Sequence, residues 1–142
     1  MPETRLVYKL KNTEAISTIV GTKVFAIGAP LDESGQVAVA LPYITYQTIS
    51  DQSVNHAAGA TDTNHCRIQV DLWASTYSGV KALATAVKTA LKSWTDDSGD
   101  PIVSSCHYES GQDMPEPPSP GQERRIHRVS HDYILWYVPA AE

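Results

Sequence analysis

The sequence predicts an α+β fold: a two-layer sandwich whose mostly antiparallel four-stranded sheet carries its helices on one face. Three observations carry that expectation. Residues 66–75, CRIQVDLWAS, alternate apolar and polar as a half-buried strand does. Residues 77–94 repeat apolar side chains at helical spacing. The elements then follow in the order helix, strand, strand, helix, strand, strand, which lets every helix cover the same side of one sheet.

The chain of 142 residues, 42% apolar and 19% charged, has the composition of a single globular domain over 1–142. Leu6, Leu10, Ile16 and Ile19 fall near one helical stripe within 4–19, and Gly21 follows where a helix needs a left-handed residue to stop. KVFAI at 23–27 reads as a short strand and 29–36 as a loop. From 37 to 49, VAVALPYITYQTI is rich in β-branched and aromatic residues. Its Pro42 means that this first main strand starts there or lies at a sheet edge. Residues 51–64, DQSVNHAAGATDTN, are small and polar and read as a long flexible loop before the second strand at 66–75.

In the second helix Val80, Leu83, Ala84, Val87, Ala90, Leu91 and Trp94 form the buried face and Lys81, Thr85, Lys88 and Lys92 the solvent face. Gly99 and Pro101 forbid its continuation. IVSSCHYES at 102–110 is a third strand. Residues 111–125, which hold four of the nine prolines, are a second flexible loop, and 126–138 form the last strand.

Alternation in that last strand turns Val129, His131, Tyr133, Leu135 and Tyr137 toward the helices. Arg128, Ser130 and Asp132 fall on the other side, but so do Ile134, Trp136 and Val138. With Trp73 of the second strand they form an apolar patch on a face the helices do not cover. Such patches mark interfaces, where Trp is enriched. Trp73, Ile134, Trp136 and Val138 are therefore the expected subunit-contact residues. The alternative is that the N-terminal helix or the 29–36 loop folds over this face.

Several function classes lose support. A net charge of −5, with no basic cluster beyond Arg124, Arg125 and Arg128, lacks the footprint of a nucleic-acid binder. No signal peptide or membrane span is expected, and two cysteines make no disulfide framework. His65-Cys66 and Cys106-His107 have zinc-donor types, but neighbours in a strand point to opposite faces. Ser130-His131-Asp132 fails as a triad for the same reason. Asp96, Asp97 and Asp100 have no EF-hand spacing and read as a solvated turn. No P-loop, dinucleotide fingerprint or H-E-x-x-H motif occurs, so neither an enzyme nor a bound cofactor or metal is expected.

The order VGTKVFAIGAP, LPYITYQTI, CRIQVDLWASTYSGVKALATAVKTAL and HDYILWYV resembles the tail completion, or tail terminator, proteins of long-tailed bacteriophages. The resemblance rests on Pro42-Tyr43-Ile44, on Gln69-Val70-Asp71 with Trp73-Ala74, on the helix from Ala82 to Leu91, and on Asp132-Tyr133 with Trp136. The proline-rich segment is longer than the family pattern.

The resemblance implies a homohexameric ring at the head-proximal end of the tail tube. Such a ring stops tube polymerisation and offers the surface for head–tail joining, in the host cytoplasm during assembly and then in the virion neck. Its implied partners are the tail tube protein and the head–tail connector, with DNA passing through unbound and no membrane involved. The loops are the expected contacts to tube or connector, through Asp51, Asn55, His56 and Asp62 in one and Asp113, Glu116, Arg124 and Arg125 in the other. The rivals are another neck protein, such as a head completion or connector adaptor protein, and a small α+β RNA-binding domain.

Overall fold

The computed structural model describes residues 2–31, 33–35, 39–56, 59–99, 101–114 and 126–138. Two short helices, α1 (Pro2–Lys11) and α2 (Glu14–Val20), precede strand β1 (Val24–Ala26). Strands β2 (Tyr43–His56) and β3 (Gly59–Ala74) follow, then helix α3 (Tyr77–Leu91) and strands β4 (Ile102–Asp113) and β5 (His127–Val138). The sheet order is β1-β2-β3-β5-β4. The α+β class holds, but the sheet has five strands and is mixed, because β1 runs parallel to β2 while every other pairing is antiparallel.

The expected single N-terminal helix is broken at Asn12-Thr13. Leu10 and Ile16 would lie about 120° apart around one straight helix. The break re-aims the second half, so that Leu6, Leu10, Ile16 and Val20 all reach the core. The side chains of Asn12 and Thr13 bond back to the carbonyls of Tyr8 and Lys9, the local competition that makes such residues helix interrupters. Gly21, at φ 64°, closes α2 as its position predicts.

Helix α3 matches its periodicity, with Val80, Leu83, Ala84, Val87 and Leu91 buried. Thr76 caps it, its hydroxyl accepting from the Gly79 N–H at 3.0 Å. The helix stops at Leu91, earlier than expected, because Ser93 turns into the left-handed region at φ 62°. Trp94 is buried even so.

The expected loop at 51–64 is instead the far half of a β-hairpin. β2 and β3 stay paired from Tyr43↔Trp73 to His56↔Gly59, with irregularities between Thr48 and Ser50 and between Ser53 and Asn55. Strand β5 joins β3 only from Asn64 onward, so the hairpin end projects as a two-stranded ribbon. Backbone pairing forms the ribbon without the apolar alternation by which strands are read. The strand expected at 37–49 begins at Tyr43, directly after Pro42; Val37 and Ala38 lie outside the described residues. Residues 111–113, assigned to the second loop, continue β4, and 115–125 lie outside the described residues.

All three described helices pack on one side of the sheet, in a single core with Ile44, Ile68, Val70, Leu72, Val129 and Leu135. The N-terminal helices therefore leave the opposite, outer face uncovered. At about 25 cal/mol per Å² of apolar area, burial of these aliphatic side chains is the main favourable term in folding.

Candidate interaction surface

The register sets the outer face residue by residue. On β3 and β5 the outward pairs are His65↔Trp136, Arg67↔Ile134, Gln69↔Asp132, Asp71↔Ser130 and Trp73↔Arg128. The face thus has an aromatic cluster at each end and charge between them. Trp73 and Trp136 sit eight residues apart along the ladder, roughly 26 Å at the usual rise of a strand. The single patch expected from the sequence is two.

At the first end Trp73 is already engaged. It stacks on Tyr43 with ring centroids 5.7 Å apart, and Phe25 meets Tyr43 edge-on at 6.3 Å. The Arg128 guanidinium lies over the indole at 5.0 Å, and the indole N–H donates to the Thr45 hydroxyl at 3.0 Å. Tyr43 and Thr45 are buried by this ladder although they face outward. The tryptophan on a polar-looking face therefore has partners within its own subunit.

The middle band is charge-balanced. Arg128 pairs with Asp71 at 3.0 Å and Arg67 with Asp132 at 3.4 Å, each bridging β3 and β5. At the far end Trp136 lies against the His65 ring, centroids 4.6 Å apart. Ile134 and Val138 share its side, and Ile102, 38% exposed, is the β4 neighbour of Val138. This end carries apolar surface toward the β4 edge.

The loop residues expected to make contacts are dispersed. Asp51, on β2, accepts the Tyr137 hydroxyl at 2.8 and 3.0 Å; burial first, then this carboxylate, pushes the phenol upward. Asn55 and His56 pair with Ala60 and Gly59 in the ribbon, and Asp62 lies in its β3 arm. Asp113 ends β4 beside α3, where the Lys81 ammonium and the Tyr77 hydroxyl hold its carboxyl below the ordinary range. Glu116, Arg124 and Arg125 lie outside the described residues.

The residues with catalytic or metal-binding chemistry are also dispersed. His131 turns inward, its Nδ1 3.0 Å from the Tyr133 hydroxyl, while Asp132 turns outward to Arg67. Burial, reinforced by the charges of Lys88 and Lys81, lowers His131 to about 4. Cys66 and Cys106 face inward on either side of Leu135, and burial pushes both thiols up to about 12. Asp96 is held by Ser98 and Arg5, which bring its carboxyl down to about 2. Among the described residues no cluster of three His, Cys, Asp or Glu could hold a metal ion. None of the described helices is long and apolar enough to cross a membrane.

Sequence periodicity missed further exposed apolar residues. Ile27, Leu31 and Ile49 are 80%, 62% and 48% exposed. Ile27 ends the KVFAI stretch and Ile49 the VAVALPYITYQTI stretch, and neither strand pattern marks its last residue as exposed.

Over residues 4–137 the chain matches the family described as Tail completion protein gp17. Among solved structures, a chain from the virion of a native gene transfer agent particle superposes with a TM-score of 0.68. The match covers 94% of this chain and 92% of that one at 15% sequence identity, a likeness of fold. A comparison with curated proteins gives no match.

Proposed function

The chain belongs to the family of tail completion proteins, structural components of the tail or neck of the virion, and on that premise we propose that it forms a six-membered ring that caps the head-proximal end of the tail tube. The ring stops tube polymerisation and presents the surface on which the head is joined. The observation that supports this reading best is the asymmetry of the sheet: among the described residues three helices lie on one face and no helix covers the other. A ring that closes by rotation uses two different surfaces on every subunit, and an uncovered sheet supplies them.

Ile134, Trp136 and Val138, together with Ile102, form the apolar part of one such surface. Trp73 serves within the subunit, holding β2, β3 and β5 in register. The projecting hairpin, with Asp51, Asn55, His56 and Asp62, reaches the tube or the connector, and so do Asp113 and the 115–125 segment with Glu116, Arg124 and Arg125. DNA passes without specific binding: the chain carries net charge −5, and Arg67 and Arg128 are each committed to an aspartate.

The test is the mass of the purified chain by light scattering, for wild type and Trp136→Asp, together with its effect on growing tail tubes. A ring-sized mass that the substitution abolishes, and tubes that stop growing when the wild type is added, are the expected results. Binding to filled heads in preference to tubes would instead identify a head completion protein.

A further inference from the structure

Two rows of backbone groups in the sheet have no strand beside them among the described residues. On one side, β1 covers β2 only from Ile44 to Tyr46. Ile27 then donates its N–H to the Tyr46 carbonyl at 2.7 Å, adopts φ 68° and turns the chain away, the Gly28 N–H closing back on the Ala26 carbonyl. A β-branched residue is disfavoured in the left-handed region, because its Cβ crowds the following carbonyl. With 80% of Ile27 exposed, no packing within the subunit offsets that strain. The turn has two results: among the described residues the β2 edge is open from Gln47 to Ser53, and Ile27 stands beside it on the same strand edge as Ile49.

On the other side, the segment after α3 covers only the start of β4. Ser93 donates to the Cys106 carbonyl, and Asp96 exchanges both backbone bonds with Val103. From His107 to Asp113 the outer edge of β4 is open. The two open stretches, Gln47–Ser53 and His107–Asp113, are seven residues each.

Their directions are complementary. β2, β3, β5 and β4 alternate in direction across the sheet, so β4 runs opposite to β2. Rotating one copy about a ring axis onto its neighbour sets β4 of one antiparallel to β2 of the next, with like faces turned the same way. The charges are complementary only at Lys88, because Asp113 neutralises Lys81 and the β4 stretch also carries Glu109. Beside β4, helix α3 lays Lys88 over the Tyr108 ring at 4.2 Å and holds Lys81 at Asp113. Beside β2 stand Asp51 and Glu3, the latter bonded to Thr48. Each open stretch also contains a strand irregularity, between Thr48 and Ser50 and between Tyr108 and Ser110. Such bulges discourage indiscriminate edge pairing and favour a partner shaped to them.

We propose that the occupant of each edge is a second copy of this chain: His107–Asp113 of one subunit pairs antiparallel with Gln47–Ser53 of the next. Ile27 and Ile49 cover the joint, so the sheet continues from subunit to subunit. This rests on the ring reading above and adds to its apolar surface around Trp136 a second, backbone-paired contact.

Crosslinking tests it. Ser50 is paired with Arg67 and Ser110 with Asp132, so both serines face outward, one at each edge. The native Cys66 and Cys106 are buried and do not compete. The full chain carrying Ser50→Cys and Ser110→Cys, treated with a short bis-maleimide, is expected to give a ladder of covalent multimers ending at the ring mass. Each single variant is expected to stay uncrosslinked. A single variant that links to itself would overturn the head-to-tail arrangement. A ring-sized mass by light scattering without a ladder would overturn the edge assignment and leave the ring standing. A monomer at every concentration would overturn the ring reading itself.

Discussion

Trp73 stacks on Tyr43 with ring centroids 5.7 Å apart and gives its indole N–H to the Thr45 hydroxyl, so the outer-face tryptophan is bound into its own subunit. Trp136, at the opposite end of the same face, meets His65, and the exposed Ile102 is the β4 neighbour of Val138 two residues on. The two residues read alike in sequence and differ in what surrounds them.

Trp73→Ala removes an aromatic stack, a cation–π contact and a hydrogen bond within one chain. A loss of about 2–4 kcal/mol in denaturant unfolding is expected. Trp136→Ala is expected to cost less than half as much in the monomer and to weaken assembly more, as light scattering across concentration would show.

Ile27→Gly relieves the left-handed strain and deletes the exposed apolar side chain. The expected outcome is a subunit as stable as the wild type or about 1 kcal/mol more stable. Its assembly would be weaker. A melting temperature well below that of the wild type would show that Ile27 serves the fold itself.

His131 is neutral in the folded state at any pH above about 4, whereas in the unfolded chain it titrates near the ordinary 6.5. Above 6.5 neither state binds the proton, and the contribution of this residue is constant. As pH falls from about 6.5 to about 4 the unfolded state gains the proton and the folded state does not. Stability should therefore fall by roughly 1.4 kcal/mol per pH unit at most, or about 3 kcal/mol across the window. Unfolding titrations from pH 8 to pH 4 on wild type and His131→Phe check this, the variant lacking that part of the slope.

Cys66 and Cys106 combine burial with thiols pushed up to about 12. Labelling by a maleimide at pH 7 is expected to be at least about a hundredfold slower in the native protein than in denaturant, because only the exposed thiolate reacts. Fast native labelling would show that the sheet opens beneath α3.

Gly111 shows a constraint visible only in space. A Cβ there would clash with the Tyr108 hydroxyl and lie 2.9 Å from the His131 ring. Gly111→Ala is expected to destabilise by about 1–3 kcal/mol through overpacking, measured by thermal unfolding. In the sequence the same glycine reads as the start of a loop.

The sequence by itself determined which residues face the core. Periods of two in 66–75 and 126–138 and of 3.6 in 77–94 are local consequences of burying one side of a strand or helix, and the structure follows them. It also carried the family, through the order of its motifs. Only the tertiary structure decided that 51–64 is a hairpin, because polar strands are held by backbone pairing that leaves no apolar period. Strand order and register decided the rest: they separated Trp73 from Trp136, gave one its partners inside the subunit, and left the β2 and β4 edges open. These relationships join residues far apart in the chain, and no local pattern encodes which strand a given strand will lie beside.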